Sequence, residues 1–190
     1  MITLVGATSL QANDVKALNK HAAANEARVV DRISDRFENF AGSEDNALAL
    51  VIGLRAGGEI TLVETTPETI DPETGEFVDA VEVETVFTPA KSPLGYGEIY
   101  LALGLAQASL SKLGILEPTS ADVVASLNGG VVLVGDDEFA EEVELVGVLA
   151  LRAENHGWGK IAKETGVKLG AVKKALKKDV SALKSKKKRG

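Results

Sequence analysis

The chain has 190 residues, of which 45% are hydrophobic and 4% aromatic, so it can form a folded core built mainly from aliphatic side chains. It has no cysteine, which excludes disulfides, cysteine-ligated zinc and thiol catalysis. The charge is distributed unevenly: residues 152–190 carry 13 Lys and Arg against 3 Asp and Glu, whereas residues 1–151 carry 8 against 25. The basic segment has a net charge of +10 on an acidic chain, and this asymmetry favours an anionic partner.

The start of the chain, MITLVGATSLQAND, lacks the basic segment and the long apolar run of an intact signal peptide. A cytoplasmic location is therefore favoured for the chain as it stands, and the mature form of an exported protein stays open. The most apolar stretch, residues 99–116, is interrupted by polar side chains, so we expect no membrane span.

The first quarter of the sequence predicts two helices. Asn13 is a candidate N-cap for a helix that continues to about Phe40. Its apolar residues recur at helical spacing on one face: Val15, Leu18, Ala22, Val29, Ile33, Phe37 and Phe40. Such a long stripe needs a long partner, either the rest of the chain or a second copy. A second helix, capped by Ser43, is favoured for residues 47–54, although the absence of alternation there leaves a strand open.

Residues 59–88 predict a β-hairpin around the turn sequence DPETG at 71–75. Alternation in its second strand puts Val81 and Val83 on one face and Glu82 and Glu84 on the other, so we expect one wet, acidic face. A lone hairpin is marginal in water, so the other face must lie on helices or on a second chain.

Apolar residues then surround nearly the whole of a predicted helix from Gly97 to Leu113, which places it in the middle of a bundle. Gly104 in this helix would allow another helix to approach closely. A short helix over residues 123–127 ends at Asn128-Gly129-Gly130. The following residues, VVLVGDDEFAEEVE, predict a short strand and then an acidic helix that continues through Leu145, Val148, Leu149 and Leu151 and ends near Asn155-His156-Gly157.

These elements predict an α+β fold, mostly α. An acidic helical domain over residues 1–150 contains one β-hairpin near 59–88. A basic element over 151–183 and a basic tail over 184–190, expected to be mobile, follow it.

The basic element has the pattern of two helices joined by a tight turn: residues 158–176 read WGKIAKETGVKLGAVKKAL. Gly166 suits the turn, and the residues expected to pack together are Trp158, Ile161, Ala162, Val167, Val172 and Leu176. The segment resembles the helix-turn-helix of small bacterial DNA-binding proteins, which implies nucleic acid as a partner. The string HGWGKIAKETGVKLG is also similar to uncharacterised bacterial proteins with a C-terminal Gly-Trp-Gly-x-Ile-Ala motif. That resemblance implies a structural module.

The second helix of this pair begins Lys168-Leu169-Gly170-Ala171, and the last three residues offer no side-chain hydrogen bond to base edges. We therefore expect mostly non-specific contact through phosphate charge. The predicted polyanion-binding residues are Lys160, Lys163, Lys168, Lys173, Lys174, Lys177, Lys178, Lys184, Lys186, Lys187, Lys188 and Arg189.

No catalytic motif accompanies the two histidines, His21 and His156, so the sequence predicts a non-enzymatic binding protein without a metal or cofactor. The alternative is a structural or assembly protein that self-associates through the long N-terminal helix and the hairpin. A homo-oligomer is expected in either case.

Overall fold

A computed structural model describes residues 12–66, 69–70, 77–135 and 140–175, with the side chains of these residues except 12–25, 66, 69–70 and 78. In chain order the elements are α1 (Ala12–Ala41), α2 (Glu44–Ala56), β1 (Ile60–Thr66), β2 (Thr69–Ile70), β3 (Phe77–Val78), β4 (Val81–Phe87), α3 (Tyr96–Lys112), α4 (Ser120–Asn128), β5 (Gly130–Val134), β6 (Glu141–Leu145), α5 (Val148–Ala153), α6 (Trp158–Glu164) and α7 (169–175). The protein is an α+β fold made mostly of helices, which confirms the predicted class.

The second predicted helix, α2, begins and ends where local chemistry dictates. Ser43 has an extended backbone, and its hydroxyl accepts a hydrogen bond from the Asn46 N–H at 3.1 Å. Gly57 follows the helix with φ +81° and donates its N–H to the Gly53 carbonyl at 2.8 Å. The strand alternative for this segment is therefore wrong.

Helix α3 occupies the centre of the core, as its nearly continuous apolar surface predicts. Ile99, Leu103 and Leu105 are completely buried. The Phe37 ring of α1 packs edge-on against Tyr100 of α3, with 5.2 Å between ring centroids. The apolar stripe of α1 is confirmed for the half whose side chains are described, since Ile33, Phe37 and Phe40 are buried.

The first hairpin pairs β1 with β4 in antiparallel register, from Ile60 opposite Phe87 to Thr66 opposite Val81. Only its base lies on the helices, where Ile60, Leu62 and Phe87 are buried. Val81 and Val83 extend the same row, yet they are 53% and 49% exposed. The expectation of one dry face thus holds only at the base. Farther out on this face, the carboxylate of Glu64 in β1 accepts a hydrogen bond from the Ser120 N–H at the start of α4, at 3.2 Å. The predicted turn at 71–75 lies outside the described residues.

Two asparagine side chains, each carried by a helix, hold the outer sides of this hairpin. The buried Asn46 amide bonds to both backbone groups of Val63 in β1, at 2.8 Å each. Asn128, the last residue of α4, accepts from the Ala90 N–H at 2.9 Å and donates to the Thr88 carbonyl at 2.8 Å. The Asn46 amide thus takes the place of a neighbouring strand beside β1, whereas Asn128 fixes the chain just after β4 ends.

A second antiparallel hairpin replaces the predicted acidic helix. β5 pairs with β6, with Val132 directly opposite Val143. Val132 is buried and Val143 packs on the core, whereas Glu142 and Glu144 are exposed. The helix prediction was wrong because alternating burial in EEVEL outweighs the intrinsic helix preference of glutamate. Helix α5 starts only afterwards, at Val148.

Candidate polyanion-binding surface

The basic element contains two helices, α6 and α7, joined by a tight turn. Gly166 has φ +68°, a conformation that a side chain would strain. Its N–H donates to the Lys163 carbonyl at 3.1 Å, and the Val167 N–H reaches back to the Ala162 carbonyl at 2.7 Å. These two bonds form a Schellman motif that ends α6 and turns the chain into α7.

The inner faces of α6 and α7 belong to the same apolar core as the rest of the molecule. Ile161, Ala162 and Val172 are buried in it, and Val167 packs against it half-buried. Leu176, also expected in this contact, lies outside the described residues.

The close approach predicted at Gly104 is made by α7. A β-carbon placed on Gly104 would lie 2.8 Å from Cγ1 of Val172, closer than side chains pack. The glycine in the central helix therefore allows the second basic helix to pack directly on α3.

Arg152, in α5, connects the start of α6 to the central helix. Its Nη2 donates to a Glu98 carboxylate oxygen at 2.7 Å, and its Nη1 donates to the His156 carbonyl at 3.2 Å. The guanidinium also lies over the Trp158 ring, 5.1 Å from its centroid. The hydrogen bond from Arg152 lowers the pKa of Glu98 below its ordinary value, although partial burial opposes the shift.

His156 lies among charged groups of the same loop and of α6. Its Nδ1 is 3.4 Å from a Glu164 carboxylate oxygen, and its Nε2 is 2.8 Å from the Lys160 ammonium and 3.6 Å from Glu154. These contacts join residues 154–157 to α6 and so help to fix the helix pair. The His21 side chain lies outside the described residues.

Five of the predicted polyanion-binding lysines can be located, and all five are exposed: Lys160, Lys163, Lys168, Lys173 and Lys174. Lys160 has an ion-pair partner, with its ammonium 3.6 Å from Glu164. The other four lysine side chains form no ion pair with any residue that the structure describes. The remaining predicted residues lie outside the described ranges: Lys177, Lys178, Lys184, Lys186, Lys187, Lys188 and Arg189.

Sequence reasoning missed one further basic residue at this surface. Lys112, the exposed last residue of α3, extends its ammonium group to the Gly166 turn. The two residues are far apart in the chain, so no local pattern could have paired them. Lys112 adds a cation at the junction of α6 and α7.

A polar groove of about 1200 Å³ lies elsewhere, between the α1–α2 turn, β1 and the loop after α3. Its wall carries the carboxylates of Asp45, Glu64, Glu82 and Glu117, so its charge opposes an anionic ligand. In the described part of the chain, no three His, Asp or Glu side chains are placed to share a metal ion. None of the helices in those ranges is long and apolar enough to cross a membrane.

No protein-family model, curated protein or solved structure matches this chain.

Proposed function

We propose that the protein is a non-enzymatic binding protein whose basic helix pair contacts nucleic acid or another polyanion, mostly without sequence specificity. The observation that carries the proposal is the division of faces on α6 and α7. Ile161 and Val172 point into the core, while Lys163, Lys168, Lys173 and Lys174 remain exposed without an ion pair among the described residues. A rigidly packed pair with outward ammonium groups can neutralise phosphates without first breaking internal contacts.

The chemistry of α7 supports charge rather than sequence readout. Gly170 and Ala171 are exposed at its start and offer no side-chain hydrogen bond to bases. Lysines supply point charges that suit phosphate oxygens of any sequence. Two duplexes of equal length and unrelated sequence should therefore bind within about threefold of each other.

An electrophoretic shift assay at about 50 mM salt tests the proposal with a variant that lacks two positive charges of α7. Lys173→Gln with Lys174→Gln should weaken duplex binding several-fold. The matched control is Arg28→Gln with Arg32→Gln, which removes the same charge from exposed positions of α1. Equal weakening by both pairs of substitutions would show that binding depends only on the net charge of the protein. The absence of a shift with the intact protein would refute the proposal.

The second candidate function is that of a structural or assembly protein, which requires self-association. The observation that favours it is the exposed apolar side chains on both hairpins, among them Val83 of β4 at 49% and Leu133 of β5 at 62% exposure. Light scattering that reports a strict monomer at high concentration would exclude it.

A further inference from the structure

The outer face of the β5–β6 hairpin combines exposed apolar side chains with carboxylates. Val131 lies opposite Glu144, and Leu133 lies opposite Glu142, so each cross-strand pair joins an apolar residue to an acidic one. Val131 and Leu133 are 55% and 62% exposed, and Val146 just after β6 is 56% exposed. Three large apolar side chains so close together are unusual on a free surface and indicate a contact.

The charges decide which partner fits this outer face. Two copies meeting through the same hairpin face would bring Glu142 and Glu144 against Glu142 and Glu144, and like charges in a contact are destabilising. A symmetric contact through the face is therefore disfavoured. The partner must supply positive charge and a surface that lets Val131 and Leu133 approach closely.

The exposed side of α7 has both properties. Lys173 and Lys174 are exposed there, and one turn earlier Gly170 and Ala171 are exposed too. A β-carbon on Gly170 would meet no atom of the described residues within 4 Å, so no contact in that part of the chain requires a glycine at this helical position. Its small size instead lets an outside surface lie close to the helix backbone.

We infer that the outer face of the β5–β6 hairpin binds the exposed side of α7 of a second copy, so that the molecules associate head to tail. Glu142 and Glu144 face Lys173 and Lys174 of the neighbour, while Val131 and Leu133 cover Gly170 and Ala171. Every copy carries both surfaces, so the rotation between neighbouring copies decides whether the contacts close as a reciprocal pair or ring, or continue from molecule to molecule. The contact is small and charged, so it is weak and is reduced by salt.

This inference specifies the self-association candidate and uses lysines of the proposed polyanion surface, but it does not require nucleic-acid binding. Because both ligands need Lys173 and Lys174, a nucleic acid that binds α7 displaces the neighbouring copy. Duplex DNA added to the associated protein should therefore return it to single copies bound to DNA.

Sedimentation velocity at about 50 mM and about 500 mM salt, with full-length protein, tests the contact by exchanging its charges. Glu142→Lys with Glu144→Lys, and separately Lys173→Glu with Lys174→Glu, should each weaken association about tenfold. Mixing the two variants should restore it, because each then presents the charge that the other needs. Leu133→Ser, at an exposed position where the core does not need the side chain, should also weaken association and covers the case in which a charge-reversed strand misfolds.

The comparison variant is Glu82→Lys with Glu84→Lys, the same charge reversal on two exposed positions of β4 in the first hairpin. We expect it to associate like the wild type. Any one of three results overturns the inference. They are no association of the wild type at low salt, no restored association when the two charge-reversed variants are mixed, and a loss of association confined to the β4 variant. The β6 variant should still shift duplex DNA, so a failure of the contact and a failure of polyanion binding can be told apart.

Discussion

Asn46 is a buried side chain that takes the place of a neighbouring strand. Its amide makes three hydrogen bonds to the backbone, two with Val63 and one with the Ala41 carbonyl at 2.9 Å. Replacing it with leucine leaves those backbone groups without their partner. Each group that water does not reach then lowers the free energy of unfolding by about 1–3 kcal/mol. Val63 is 38% exposed, so water takes over part of this bonding.

For Asn46→Leu we accordingly expect a loss of about 2 kcal/mol in the free energy of unfolding, measured with urea. Asn46→Asp should cost more, because a carboxylate cannot donate and would face two carbonyl oxygens. Asn39→Leu, at an exposed position of α1, is the matched control and should change stability by less than about 0.5 kcal/mol. Equal effects at Asn39 and Asn46 would show that the strand edge does not depend on the amide.

The ion pair of Glu98 with Arg152 gives the fold a pH dependence with a definite sign. The pKa of Glu98 is lowered from an ordinary value of 4.5 by the Arg152 hydrogen bond. A carboxylate with a lowered folded-state pKa contributes stability above its unfolded-state pKa and loses it as the pH falls through the folded-state value. The Glu98 side chain is 37% exposed, so the contribution is below about 1 kcal/mol.

We predict that Glu98→Gln is less stable than the wild type near pH 7 and that the difference shrinks as the pH falls below 4.5. Thermal melting of both proteins across this range measures the difference, and Glu59→Gln provides an exposed carboxylate for comparison. A difference that is constant with pH would mean that the Glu98 charge is not what stabilises the contact.

Among the elements, those with strong local signals were predictable from the sequence. Ser43 and Gly57 mark the two ends of α2 through backbone conformations that serine and glycine favour. The second hairpin was missed because the acidic residues between positions 136 and 144 resemble an acidic helix, although Val143 and Leu145 alternate as a strand requires. The packing of Val143 on the core, opposite the buried Val132, decides between the two, and it depends on contacts that sequence alone does not reveal.

The packing of α7 on α3 can be measured as a coupling between Gly104 and Val172. Gly104→Ala alone gains helix propensity but crowds Cγ1 of Val172, so we expect little gain or a net loss of stability. With Val172→Ala in place the crowding disappears, and the same change should stabilise by about 1 kcal/mol. Urea unfolding of the four proteins gives the coupling energy.

Gly97→Ala is the control on the same helix, because a β-carbon there meets no atom of the described ranges within 4 Å. Its effect should be the same with and without Val172→Ala. Strict additivity of Gly104→Ala with Val172→Ala would contradict the contact between α3 and α7.

At the scale of the whole molecule, folding buries the apolar side chains of the basic helix pair and leaves its lysines on the surface. The chain places Ile161 and Val172 in one apolar cluster with the central helix, which no periodicity within residues 158–176 could predict. The same packing turns Lys163, Lys168, Lys173 and Lys174 outward on an acidic body. The pattern of the helix pair was readable from the sequence, but its docking partner was not, because Gly104 and Lys112 are remote in the chain.

The charge arrangement makes a quantitative prediction for the salt dependence of DNA binding. Each phosphate neutralised on duplex DNA contributes a slope of about −0.9 in the logarithm of affinity against the logarithm of salt concentration. Removing residues 184–190, which contain Lys184, Lys186, Lys187, Lys188 and Arg189, should reduce this slope by about 0.9 for each phosphate that is no longer neutralised. Lys173→Gln with Lys174→Gln should reduce it by no more than about 2.

The acidic body, with a net charge of −17 over residues 1–151, opposes binding within a Debye length of about 10 Å at 0.1 M salt. Because the repulsion is screened as salt is added, the measured slope should be shallower than the number of lysine–phosphate pairs alone would give. Fluorescence anisotropy on a labelled duplex, from about 50 to 300 mM salt, measures the slope for the intact chain and both variants. A slope that neither variant changes would mean that the salt-sensitive contacts lie outside the helix pair and tail, and it would refute phosphate neutralisation by these lysines.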